Sequence, residues 1–198
     1  MLLKDRLKSY NLILASASPR RQAFLKLMDL DFVIQLKPVE EIYPKTLKRE
    51  AITDYLSKLK AAPFKEELKP YDILITSDTI VWHKDKALEK PIDIEEAFSM
   101  LKQLSNDTHE VATSICITTA TQQIIKHSIT KVRLTDLSDE DIHYYIKKAQ
   151  PMDKAGSYGI QEWIGAIGIA SIEGSYNNVV GLPTHLLYET LNAIANMQ

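Results

Sequence analysis

Asp78 stands in the middle of an apolar run, Ile73-Leu74-Ile75-Thr76-Ser77-Asp78-Thr79-Ile80-Val81-Trp82, whose β-branched content predicts one buried strand. A carboxylate there costs several kcal/mol unless something pairs with it. Two partners suit it. A lysine would make a structural ion pair, whereas a position at the mouth of a cleft would let the acid hold a divalent metal or activate water.

Ser16-Ala17-Ser18-Pro19-Arg20-Arg21 follows the apolar stretch Leu12-Ile13-Leu14-Ala15 and predicts strand, loop, helix. Ser18 suits an N-cap and Pro19 a first helical position, with Phe24, Leu27 and Met28 as the buried face. The same residues fit a plain capped helix with solvated arginines or a phosphate cradle of N–H groups, hydroxyls and guanidinium forks. A third cluster, Pro151 to Gln161, is a long loop tied by Gly156 and Gly159. Loops of that length usually carry function: Lys154 offers charge, and Gln161 offers both a donor and an acceptor to a base edge.

The surrounding pattern predicts the elements that position these groups. A helix over Leu47 to Ala61, with Ile52, Tyr55, Leu56 and Leu59 inward, ends before Pro63 and places Lys60 in its last turn. Asp93 and Glu96 form a capping-box pair ahead of a stripe of Ile94, Ala97, Phe98, Leu101 and Leu104. Val111 to Thr119 and Ile124 to Leu134 pair as a hairpin across Ala120-Thr121-Gln122. Ser138 with Asp141 caps a helix carrying Ile142, Tyr145 and Ile146, a small-residue strand falls near Gly165 to Ile172, and a last helix covers Thr184 to Ala195. Alternating helices and strands with a central hairpin predict an α/β fold with a mixed sheet.

The 198 residues suit one domain, 1–198, with 1–10 as a short extension. Lys and Arg total 24 against 26 Asp and Glu, a net charge of −2 that disfavours bulk binding of nucleic acid. Cys116 is the only cysteine, which excludes an intrachain disulfide or a thiol zinc cluster and suits a reducing compartment. Met1 to Tyr10 is too charged for a signal peptide, and no window approaches a membrane span, so the expectation is a cytoplasmic protein without membrane or nucleic-acid partners. His109 is expected as a structural residue of the sheet, and His83, His127, His143 and His185 share no metal-binding spacing. Trp82 and Trp163 read as core.

Taken together, Leu14 to Arg21, Lys60-Ala61, Ser77 to Val81, Leu88-Glu89-Lys90-Pro91, Thr108 to Thr113, Asp153 to Gln161 and Asn178 to Pro183 resemble, in order, the motifs of the Maf (septum formation inhibitor) family of nucleoside triphosphate pyrophosphatases. The resemblance implies an elongated mixed sheet with flanking helices, in two lobes around a central cleft, similar to the inosine triphosphate pyrophosphatase fold. It implies a homodimer, and hydrolysis of a nucleoside triphosphate to the monophosphate and pyrophosphate with a divalent cation, Mg²⁺ or Mn²⁺.

By the same resemblance Asp78 matches the proton acceptor and a metal ligand. Glu41 matches an acid assisting metal binding, although by itself Glu40-Glu41 reads as a solvated loop. Ser16, Ser18, Arg21, Lys60, Lys90 and Lys154 match positions around the triphosphate, a distribution of cations suited to neutralising a leaving pyrophosphate. Arg20, Thr79 and Gln161 look like the specificity positions of the dTTP/UTP type. Ser77, Glu89 and Glu162-Trp163 depart from the usual pattern. The alternative is a non-catalytic nucleotide-binding regulator of cell division, which the acid retained at position 78 argues against, or a pyrophosphatase with another base preference.

Overall fold

A computed structural model describes residues 1–196. In chain order the elements are α1 (Leu3–Arg6), β1 (Asn11–Leu14), α2 (Pro19–Leu27), β2 (Val33–Ile34), α3 (Glu50–Ala61), β3 (Asp72–His83), β4 (Lys86–Leu88), α4 (Ile94–Leu104), β5 (Thr108–Thr118), β6 (Gln123–Leu134), α5 (Asp139–Ala149), α6 (Trp163–Gly168), β7 (Ile169–Glu173), α7 (Tyr176–Val180) and α8 (Thr184–Ala195). The predicted α/β class with a mixed sheet is what forms. Seven strands run in the order β2-β1-β3-β5-β6-β7, with β4 beside β3. β1 is parallel to β2 and β3, while β4 is antiparallel to β3 and β7 antiparallel to β6.

The chain divides into two compact units. The first comprises Met1–Asp78, Thr113–Ser128 and the segment from Gly181 onward; the second comprises Thr79–Ala112 and Ile129–Val180. In the first unit, β3 is buried on both faces, which explains its unbroken apolar run. Ile73 and Ile75 join Leu12, Leu14, Leu25 and Leu187 in one cluster, and Leu74 joins Ile13, Phe64 and Cys116 in another. Leu3 and Leu7 belong to the larger cluster, so the first ten residues contribute to the core. In the second unit, α4 and α5 pack their apolar stripes into one core with Val81, Val111, Val132, Tyr158 and Ile160.

Caps and hairpin largely follow the sequence. Asp141 N–H donates to Ser138 Oγ and Ser138 N–H to Asp141 Oδ2, a complete capping box for α5. At α4 only half the box forms, because Glu96 N–H donates to Asp93 Oδ1 while the Glu96 carboxylate accepts from Ile92 N–H instead. Thr119 N–H donates to the Gln122 carbonyl and closes the β5–β6 connection.

Several expectations fail. The segment from Trp163 to Gly168 is helix, and the strand begins at Ile169. The run of Gly, Ala and Ile there carries no decisive period. The helix read from Leu47 begins at Glu50, after Arg49 with φ 50°. Its inward stripe is Ile52, Thr53, Leu56 and Ser57, while Tyr55 faces solvent. On α2 the buried residue is Leu25, with Phe24 and Met28 partly covered and Leu27 78% exposed. Ile94 is likewise exposed at the start of α4.

Candidate active site

Ser18 occupies the N-cap position of α2 and Pro19 its first turn, but the Ser18 side chain makes no capping bond. The loop is organised by Ser16, whose hydroxyl accepts Ser18 N–H at 3.2 Å and Arg21 Nη1–H at 3.3 Å. Arg21 then reaches β3: Nη1 donates to the Ser77 carbonyl at 2.9 Å, and Nε donates to the Gly181 carbonyl at 2.9 Å. The guanidinium fork therefore fixes the backbone immediately before Asp78. Arg20, next to it, is half-buried at the start of the same helix.

Asp78 is buried, with 6% of its surface exposed. The last turn of α3 delivers Lys60, whose Nζ lies 2.6 Å from Asp78 Oδ1 and 2.9 Å from Glu41 Oε2. Two acids distant in sequence thus meet on one ammonium. Burial pushes the Asp78 carboxyl above its ordinary range, opposed by Lys60 and then Arg21, with Glu41 adding to the rise. A carboxyl raised in this way is a better proton acceptor than a solvated one.

The position of α3 is set by a buried polar seam. Thr76 Oγ1 donates to the Ser57 carbonyl at 2.7 Å, and the Thr53 and Ser114 hydroxyls lie 2.6 Å apart. Ser114 Oγ also donates to Asp54 at 2.6 Å. These bonds satisfy the polar groups under the helix and hold the register that brings Lys60 to Asp78.

Asp78 and Glu41 present carboxylate oxygens, the hard donors that Mg²⁺ and Mn²⁺ prefer. Both already converge on one cation, the Lys60 ammonium, so the donor set fits a divalent ion completed by water and phosphate oxygens. Among the described residues no group of three or more His, Cys, Asp or Glu forms an all-protein metal cage.

In the second unit, Thr79 is half-buried on β3 and Lys90 is exposed after β4. The loop from Pro151 to Gln161 contains a short turn at Ala155–Ser157 rather than being wholly irregular. Gly156 has φ +66°, donates its N–H to the Glu89 carbonyl at 3.1 Å, and leaves no room for a side chain: a Cβ would lie 2.8 Å from Val81 Cγ2. Glycine there presses the loop against β3. Lys154 is buried with Nζ 2.7 Å from Asp153 Oδ1, while Gln161 is exposed at the loop's end. The sequence-derived residues fall in two local groups: Ser16, Ser18, Arg20, Arg21, Glu41, Lys60 and Asp78 in the first unit, and Thr79, Lys90, Lys154 and Gln161 in the second.

His109 sits inside the sheet. Its Nε2 shares a 2.7 Å hydrogen bond with the Tyr158 hydroxyl, so it braces the same loop. Burial, then the neighbouring His83, lowers the imidazolium to about 3. The neutral ring is the native form: below the ordinary imidazole range of about 6.5 the unfolded chain takes up a proton that the folded chain refuses. Stability contributed above that range is therefore lost progressively as pH falls from about 6.5 toward 3. In denaturant melts across this window, His109→Gln is expected to flatten the pH slope by up to about 1.4 kcal/mol per pH unit; an unchanged slope would remove His109 from the acid response.

A family profile described as Maf-like protein matches residues 11–194. The chain belongs to the Maf family. A dTTP/UTP pyrophosphatase of Flavobacterium johnsoniae is 57% identical over 98% of this chain and 100% of its own length. One of Bacteroides fragilis is 46% identical over 95% of this chain and 98% of its own length. Among solved structures, the Ham1 protein of Staphylococcus aureus shares the fold, with a TM-score of 0.53 and 14% identity over 93% of this chain and 99% of that one.

Proposed function

We propose that this protein is a nucleoside triphosphate pyrophosphatase that hydrolyses dTTP and UTP to the monophosphate and pyrophosphate. The observation that carries this is a buried Asp78 held against Lys60 and Glu41, on a chain of the Maf family with relatives named for that activity. Asp78 takes the proton from water; the water oxygen bonds to the α phosphorus, the α–β bridge breaks, and pyrophosphate leaves. Lys60 and Arg21 supply positive charge as negative charge accumulates on the leaving group. Ser16 and Ser18 offer hydroxyls at the start of α2, and Lys90 and Lys154 are the further cations assigned to the phosphates. Asp78 and Glu41 would hold the divalent ion, Mg²⁺ or Mn²⁺, which neutralises phosphate oxygens and lowers the pKa of bound water. No described helix is long and apolar enough to cross a membrane. The proposed enzyme acts on the cytoplasmic nucleotide pool and works as a homodimer.

Base choice is assigned to Arg20, Thr79 and Gln161. Uracil and thymine offer a carbonyl, N–H, carbonyl edge, which a carboxamide and a guanidinium can satisfy together. Cytosine reverses part of that edge and leaves donors and acceptors of the site unpaired, a mismatch that discriminates between bases. Pyrophosphate release across a panel of triphosphates is therefore expected to rank dTTP and UTP ahead of CTP, ATP and GTP. Gln161→Ala is expected to narrow the gap by lowering the favoured substrates most. A wild type that prefers purines, or a uniform loss in the variant, sinks the base assignment.

A further inference from the structure

Glu162 follows Gln161 directly. It stands at the N-cap position of α6 but makes no capping bond. Its carboxylate is used elsewhere. Oε2 accepts a 2.5 Å hydrogen bond from the Tyr145 hydroxyl, and Oε1 lies 3.2 Å from Lys154 Nζ. The Tyr145 hydroxyl in turn accepts Gly159 N–H at 3.0 Å. Burial, then this carboxylate, pushes the Tyr145 hydroxyl well above its ordinary range, so it stays a donor at every working pH.

The backbone at Gly159 explains why the carboxylate fits. A Cβ there would lie 2.7 Å from Glu162 Cδ, 2.9 Å from Oε2 and 3.1 Å from Gln161 Nε2. The acid fills the space that glycine leaves, and the Gln161 amide nitrogen borders the same space. A carboxylate favours an amide N–H beside it and repels the amide oxygen. Gln161 therefore keeps its oxygen for the other side, where it can accept the N–H of a uracil or thymine. Lys154, buried and flanked by the carboxylates of Asp153 and Glu162, is held in one place.

We infer that Glu162 is a positioning residue for substrate recognition, fixing the Lys154 ammonium and setting the polarity of the Gln161 carboxamide through one carboxylate. The inference rests on the proposed function for the roles of those two residues. The structure supports positioning rather than proton transfer, because both carboxylate oxygens are engaged, one by the Tyr145 hydroxyl of α5 and the other by Lys154.

Glu162→Gln keeps an acceptor for Tyr145 and removes the charge. The expected result is a KM for UTP raised about tenfold with kcat changed far less, and a UTP-to-CTP preference reduced about tenfold, in line with the loss of one charge-assisted contact and one oriented amide. Inhibition by inorganic pyrophosphate, which has no base, is expected to weaken several-fold and reads the Lys154 arm alone. Calorimetric binding of UMP against CMP reads the Gln161 arm without turnover. Glu162→Asp should recover part of each effect, and Tyr145→Phe should be non-additive with Glu162→Gln. Wild-type affinities and base ratios in the Gln variant overturn the inference. So does an equal loss for every ligand accompanied by a lowered Tm, which marks a purely structural acid. A wild type that cleaves neither dTTP nor UTP fails the functional proposal instead, while the pyrophosphate and monophosphate binding arms still decide on Glu162.

Discussion

Asp78→Asn is expected to reduce pyrophosphate release about 10²- to 10⁴-fold, the usual consequence of removing a positioned general base. The amide has nearly the shape of the acid and can still accept a hydrogen bond from Lys60, but it cannot take a proton from water. Lys60 keeps Glu41 as an ionic partner at 2.9 Å, so no cation is stranded. The stability effect has the opposite sign to the activity effect. Burial raises the Asp78 carboxyl in the folded state, so the native protein binds a proton that the unfolded chain has already lost, and stability falls as pH rises through that interval. At neutral pH the buried charge is therefore a net cost, and Asp78→Asn should melt at the wild-type Tm or above it. Near-normal turnover in the Asn variant would make Asp78 a structural acid. Inactivity together with a collapsed Tm would do the same.

The elements that place Asp78 were legible because their signals are local. A β-branched run buried on both faces has no polar alternation, so an acid at its centre stands out from sequence alone. Ser138 with Asp141 marked the start of α5, and Thr184 to Ala195 matched α8 at both ends. Glu41 was not legible in this way. It lies in a loop without periodicity, 19 positions from Lys60, and only the path of the chain brings its carboxylate to that ammonium.

Tyr145 shows a different limit. Its place on the apolar stripe of α5 was plain, yet the stripe says nothing of the hydroxyl at its tip, which joins Gly159 to Glu162. The helix of Trp163 to Gly168 is not fixed by its sequence, because a short run of Gly, Ala and Ile fits strand and helix equally until packing decides. Leu27 shows the reverse error: it has helical spacing with Phe24 and Met28, but the first unit's core takes Leu25 fully and leaves Leu27 in solvent.

Stripping divalent cations with excess chelator is expected to abolish turnover while leaving the melting temperature of the free protein unchanged. The two effects separate because Asp78 and Glu41 are already satisfied by Lys60 in the free protein, so their carboxylates do not depend on a metal for the fold. The substrate changes that balance. A triphosphate brings about four negative charges to the two acids, one of which must accept the water's proton, and Lys60 cannot neutralise its oxygens while remaining paired with both carboxylates. Added Mg²⁺ or Mn²⁺ should restore pyrophosphate release in a saturable manner. Glu41→Gln should shift that titration to higher metal concentration by about ten- to a hundredfold, because one of two anionic donors is gone. Full activity in excess chelator removes the divalent ion from the mechanism. An unshifted titration in Glu41→Gln leaves Glu41 only as the second partner of Lys60.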